Sequence, residues 1–137
     1  MRTIKSTLLF ILAISMSSYL MSQELNFEIN SPTIYDETID LGIGSSFTKN
    51  GMILTWVQEV SGQTHTNQLE IISSAGNWDV DSSTGNLIYN LVQEGSGITL
   101  TIIGQTDGIT AELTMPSSDP EAPTLVYTFT ECIISYL

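Results

Sequence analysis

The sequence predicts an all-β fold: a single antiparallel up-and-down barrel of about eight strands, with a β-sandwich as the alternative. Three observations carry that expectation. Apolar and polar residues alternate with period two along most of the chain beyond its N-terminus. No helical period persists there. The alternating segments are joined mostly by short loops rich in Gly, Ser, Asn and Asp, and a run of short hairpin connections favours a meander over a Greek key.

The N-terminus reads differently. Arg2 and Lys5 precede an unbroken apolar run at residues 8–14, and a Ser-rich stretch follows. These are the parts of a secretory signal peptide, assigned to residues 1–22, with the folded domain at 23–137. The run is well short of the ~20 residues that cross a bilayer. Ser15-Met16-Ser17 fits a small-x-small cleavage rule, whereas a cut after Ser22 leaves Gln23 and Glu24 leading into the first strand. No cysteine follows the run to accept a lipid. The expected location is exported, either periplasmic or extracellular.

The whole chain carries 15 acids against three cations, a net charge of −12. Without Arg2 and Lys5, Lys49 alone faces the 15 acids and the net becomes −14. Such a surface repels phosphate backbones and anionic headgroups, which excludes nucleic acid and anionic membranes as partners. Cys132 is the only cysteine, so no intrachain disulfide forms. Its place in an apolar strand pattern predicts a buried thiol.

Taken in order, residues 25–29 alternate as a short edge-type strand that Ser31-Pro32 breaks. Residues 33–41 show neither period and read as a loop or a short helical turn. Asn50-Gly51 is a strong type I′ hairpin signal. The strand after it, residues 52–60, places Met52, Leu54, Trp56 and Val60 on one face. Residues 64–72 return, and Ser73-Ser74-Ala75-Gly76 reads as a turn. A central hairpin follows, with Asn77 to Asp81 and Asn86 to Asn90 as its arms and Ser82-Ser83-Thr84-Gly85 between them. Strands are then expected at 87–93, 98–103 and 109–115, a proline-bounded loop at 116–123, and a last strand at 124–136. That strand puts Leu125, Tyr127 and Phe129 on one face, and Glu131 falls in register with them. Either a bulge near Thr130 turns Cys132 and Ile134 inward, or a carboxylate points into the interior.

Phe47-Thr48-Lys49-Asn50-Gly51, Gly76-Asn77-Trp78 and the run from Ile98 through Leu113 to Tyr127-Thr128-Phe129 resemble, in order and spacing, the small lipocalin-like (calycin-type) barrels of exported bacterial proteins. The resemblance covers residues 47–132. It implies a barrel with an interior ligand. That family usually opens with a glycine-x-tryptophan strand that helps close the barrel, and residues 25–41 contain no tryptophan.

Little in the chain points to catalysis. His65 is the only histidine, and no Ser or Cys sits in a nucleophile elbow. Asp79-x-Asp81-x-Ser83 has calcium-like spacing, but Thr84 stands where an EF-hand loop needs glycine and Asn90 where it needs glutamate. No metal site or cofactor is assigned. The sequence therefore predicts a secreted, non-catalytic protein binding a small apolar ligand in a barrel interior, through Trp56, Trp78, Tyr127 and Phe129, with Glu131 as the interior polar group. The alternative is an acidic β-sandwich working as a structural or interaction module, stabilised by calcium at Asp79 and Asp81. No protein partner is indicated.

Overall fold

The computed structural model describes residues 19–21, 25–117, 119 and 121–137. The strands are β1 (Tyr19–Met21), β2 (Phe27–Ser31), β3 (Thr33–Asp36), β4 (Ile39–Asp40), β5 (Gly44–Asn50), β6 (Ile53–Val60), β7 (Gln63–Ala75), β8 (Asn77–Asp79), β9 (Thr84–Gln93), β10 (Ser96–Gln105), β11 (Gly108–Met115) and β12 (Leu125–Tyr136). Among the described residues there is no helix. The expected signal segment lies outside the described residues except for β1, which pairs with β8 from Tyr19↔Asp79 to Met21↔Asn77.

Eight strands close on themselves in the order β9, β10, β11, β12, β2, β5, β6, β7 and back to β9. Each hydrogen-bonds to its neighbour in sequence, and the last pairs with the first. The fold is thus an antiparallel up-and-down barrel. The sandwich alternative fails on this closure, because β7 and β9 pair from Glu70↔Val92 to Ala75↔Ile88 and leave no gap between two sheets.

Two of the barrel strands are longer than the alternation suggested. Residues 33–41, expected as a loop, supply β3 and β4. Thr33 to Asp36 pairs with β12 in the same register as β2, so β2 and β3 are one strand bent at Pro32. A ladder partner overrides the missing period there. Ser73 to Gly76, expected as a turn, instead stays on the β9 ladder: Ser74 pairs with Tyr89, and beyond Gly76 Trp78 pairs with Gly85. The central hairpin is therefore β7 and β8 together against β9, with its loop at Val80 to Ser83. The Asn50-Gly51 turn shifts by one residue. Asn50 pairs with Ile53, so Gly51 and Met52 form the loop, with positive φ at Gly51 (62°) but not at Met52. This is the II′ arrangement, which needs glycine first, and it leaves Met52 exposed rather than on the inner face.

The last strand takes the bulge that alternation allowed. Ala111 pairs with Phe129 but Ile109 pairs with Cys132, so β12 carries one extra residue, and Glu131 adopts a φ of 54°. Cys132 returns to the inner face, buried, while Glu131 lies exposed outside. The interior-carboxylate reading of Glu131 is thereby corrected.

The two barrel ends differ. At one end Trp78 is fully buried, and its Nε1 donates to the Tyr136 hydroxyl at 2.7 Å, which also bonds Ser83 Oγ at 2.7 Å. The indole lies across Gly104. A Cβ at Gly104 would stand 2.5 Å from Trp78 Cη2 and 2.4 Å from the Ser83 carbonyl oxygen, and one at Gly85 would stand 2.3 Å from the Asn77 carbonyl oxygen. Gly104→Ala should therefore lower stability in urea unfolding by ~1–3 kcal/mol, the usual range for overpacking. Gly97→Ala on the same strand, where a Cβ meets nothing within 4 Å, should show no such clash penalty.

Candidate functional site

The other end of the barrel is open and carries the candidate site. Along β6, Leu54, Trp56 and Gln58 share the inner face, because side chains two residues apart point the same way. Trp56 is buried, and its Nε1 donates to Ser45 Oγ at 3.3 Å. Its ring stacks on Phe47 (5.7 Å between centroids, 15° between planes) and meets Phe129 edge-on at 6.2 Å. Phe129 also sits edge-on to Phe47 at 4.9 Å. These three rings adopt the offset and T-shaped arrangements that aromatic quadrupoles favour.

Around Trp56 lies a cavity of about 270 Å³ lined by Ile34, Leu41, Ile43, Trp56, Gln58, Met115 and Tyr127. Its lining is mixed, hydrocarbon and aromatic surface beside polar surface, with Gln58 and Tyr127 as the residues that carry polar side-chain groups. Across β6 and β7, Gln58 pairs with His65 and Trp56 with Asn67; Asn67 Oδ1 accepts from Gln93 Nε2 at 3.2 Å. The rim is thus polar on the β6, β7 and β9 side. On the opposite side it is apolar, with Ile39, Leu41, Leu125 and Val126 all exposed.

The hairpin of β3 and β4 sits at this mouth. Glu37 and Thr38 turn it, with Glu37 at a φ of 56°. Asp40 Oδ1 accepts from the Thr33 hydroxyl and from the Gly42 N–H at 2.8 Å, and Leu41 N–H donates to the Ile34 carbonyl at 2.9 Å. The Thr33 hydrogen bond first, and the Gly42 one second, hold the Asp40 carboxyl below its ordinary range. This support is present above the unfolded carboxyl's pKa and is lost as pH falls through the depressed folded value.

The five residues that alternation and resemblance singled out fall in three places. Trp56 and Tyr127 line the cavity, and Phe129 packs against Trp56 beneath it. Trp78 is at the far, closed end, and Glu131 is on the outer wall. Gln58 was legible, since it shares parity with Leu54 and Trp56. Ile34, Leu41 and Ile43 were not, because the segment that carries them has no period of its own.

Lys49 shares the inner face with Phe47 and is fully buried. Its Nζ donates to the Leu25 carbonyl at 2.7 Å and to Asn26 Oδ1 at 3.3 Å, and it lies 6.0 Å from the centre of the Tyr89 ring. Burial lowers the Lys49 pKa and raises that of Tyr89. His65 is exposed at the rim. Asp79 Oδ1 accepts the N–H groups of Asp81 (3.0 Å) and Ser82 (3.4 Å), which makes it a turn former. Among the described residues, no group of three or more metal-ligating side chains comes together.

Cys132 donates its thiol to the Phe129 carbonyl at 3.5 Å. Burial pushes the thiol from an ordinary 9.0 up to about 11, against smaller opposing pulls from Ser31 and the Ala111 backbone. The folded thiol keeps its proton to higher pH than the unfolded one. Its contribution to stability is therefore complete below the unfolded value and declines as pH rises toward the folded one. Disulfide reagents at neutral pH should label Cys132 in urea but not in the native protein. Urea midpoints should fall between pH 9 and 10, and Cys132→Ala should flatten that decline; an unchanged slope would assign it to another group.

Comparison with family models, with curated proteins and with solved structures finds no match for this chain.

Proposed function

We propose that this protein is an exported, non-catalytic, lipocalin-like binding protein that takes a small apolar or amphipathic ligand at the open end of its barrel. The observation that carries this reading is the cavity of about 270 Å³ around Trp56 and Tyr127, at the mouth where the β3 and β4 hairpin sits. Ligand pockets for drug-sized molecules run from ~300 to 1,000 Å³. A cavity of this size suits a one- or two-ring aromatic or a short-chain amphiphile, and is small for haem or a long fatty acid. Below Trp56 the interior is occupied by buried side chains, including Phe129, Leu100, Leu113 and Tyr89. The ligand would thus rest on the aromatic floor.

Binding rather than catalysis is favoured by the lining, which is hydrocarbon and aromatic surface with an amide and a phenol for orientation. Exposed Ile39, Leu41, Leu125 and Val126 form an apolar lip of the kind that marks binding sites. Export rests on the N-terminal sequence pattern. A cut after Ser17 would leave β1 in the mature chain.

The reading is tested by titrating the protein with neutral probes such as nitrobenzene and short-chain alcohols while following tryptophan emission. Saturable binding is expected, with the emission change coming from Trp56. Trp56→Phe, which leaves only the distant Trp78 to report, should abolish that change. Met115→Trp, which fills the cavity, should weaken binding at least about tenfold, or 1.4 kcal/mol. A folded protein that ignores every probe, or binds them equally after Met115→Trp, overturns the proposal.

A further inference from the structure

The outer wall carries a second concavity, independent of the mouth. Pro32 in the bent first strand and Glu131 in the bulge of β12 stand between the ladder pairs Thr130↔Thr33 and Ile133↔Asn30. The regular ladder lapses at that point. Ser31 bridges it from inside, its hydroxyl bonded to the carbonyls of Thr130 (2.8 Å) and Thr33 (2.9 Å). Outside, the wall is dented by a groove of about 590 Å³.

Ile133, Asn30, Ser46 and Val57 cross the groove in one row, each the cross-strand partner of the next. Four adjacent strands span three spacings, roughly 14 Å. That is the length of about four extended residues. Ser46 and Gly44 leave the floor low, while Ile133, at 69% exposure, and Val57 offer hydrocarbon walls. Two carboxylates, Glu59 and Glu131, also line it.

The charge pattern selects the occupant. Lys49 is the sole cation among the described residues, and it is buried on the inner face, so the counter-charge for this groove comes from outside the described chain. Apolar walls beside two carboxylates match a side chain with an aliphatic stem and a cationic head, which is the build of arginine and lysine. The length of the row matches an extended segment of polypeptide.

We propose that this groove docks an extended segment of a partner protein that carries two basic side chains, the stem of one against Ile133 with its charge on Glu131, and the stem of the other against Val57 with its charge on Glu59.

The test uses the ¹⁵N-labelled protein and two capped pentapeptides, acetyl-Arg-Leu-Ser-Leu-Arg amide and its neutral isostere with citrulline in place of both arginines. The arginine peptide should shift the amide signals of Asn30, Ser46, Val57 and Ile133, leave those of the mouth at Ile43 and Met115 in place, and weaken as salt is added. Citrulline should cost about tenfold in affinity, and so should the Glu59→Gln/Glu131→Gln pair. Ser46→Leu, which fills the floor without touching the carboxylates, should block binding. Equal binding of the citrulline peptide, shifts spread over the acidic surface that survive the paired variant, or no shifts at millimolar peptide would each overturn the proposal.

Discussion

Closure between the last strand and the first is the constraint on which the remaining structure depends. β12 offers one edge to β11 and the other to both β2 and β3. Without that second ladder, two long edges would stand open with unpaired N–H and C=O groups, and the inner faces of both strands would lose their cover. Closing a sheet requires the strands to coil, and here both partners bend at the same level. Pro32, with no N–H to give, faces the extra residue at Glu131. The Ser31 hydroxyl occupies the gap. The bend also returns Cys132 to the interior and sends Glu131 out, so one local irregularity decides which of two neighbouring side chains meets water.

The difference between the barrel ends follows from what each inner face carries there. At the closed end an indole needs room across its partner strands, and Gly104 supplies it by having no Cβ, while Gly85 lets the backbone of residues 77 and 78 approach. Lys49 reaches the Leu25 carbonyl and the Asn26 side-chain oxygen at that end, so its ammonium is hydrogen-bonded while its stem packs in the core. At the open end the aromatic group of Phe47, Trp56 and Phe129 forms a floor. The hairpin of β3 and β4, held by Asp40, stands beside the space above it. A single alternating pattern thus yields a packed plug at one end and a lined cavity at the other. Residues 56 and 57 show how economically the wall is used, since Trp56 faces the mouth cavity and Val57 the outer groove.

The resemblance to lipocalin-like barrels rests on short stretches of strand and turn, and the barrel itself now stands on its own hydrogen-bond ladders. The tryptophan missing from the opening strand did not prevent closure. Backbone pairing along Phe27 to Asp36 performs it, and Trp78, on a different strand, plugs an end. Tryptophan at a barrel end is useful for its bulk, and the position from which it enters is less constrained.

Period-two alternation was enough to specify β6, β9, β10 and β11, the inner face of β11 and that of β6 at Leu54 and Trp56, and the pairing of sequence neighbours through short loops, because each of those is a local property of the chain. It placed Trp56, Tyr127 and Phe129 on inner faces, and parity alone would have put Gln58 and Lys49 there too. It could not find β3, whose strand character comes from β12 some ninety residues away, or β4, which pairs with β3. It could not show that residues 73–76 continue a strand, since small polar residues suit a turn as well as a bulged ladder. Nor could it separate Trp78 from Trp56 along the barrel axis. Alternation reports which side of the sheet a residue faces, whereas its height depends on the stagger of the closed ladder. Composition and period therefore determined that the chain is an antiparallel β-meander with an aromatic interior. Where that interior stays open, and that Glu131 belongs to the outer wall, was decided only when the first and last strands met.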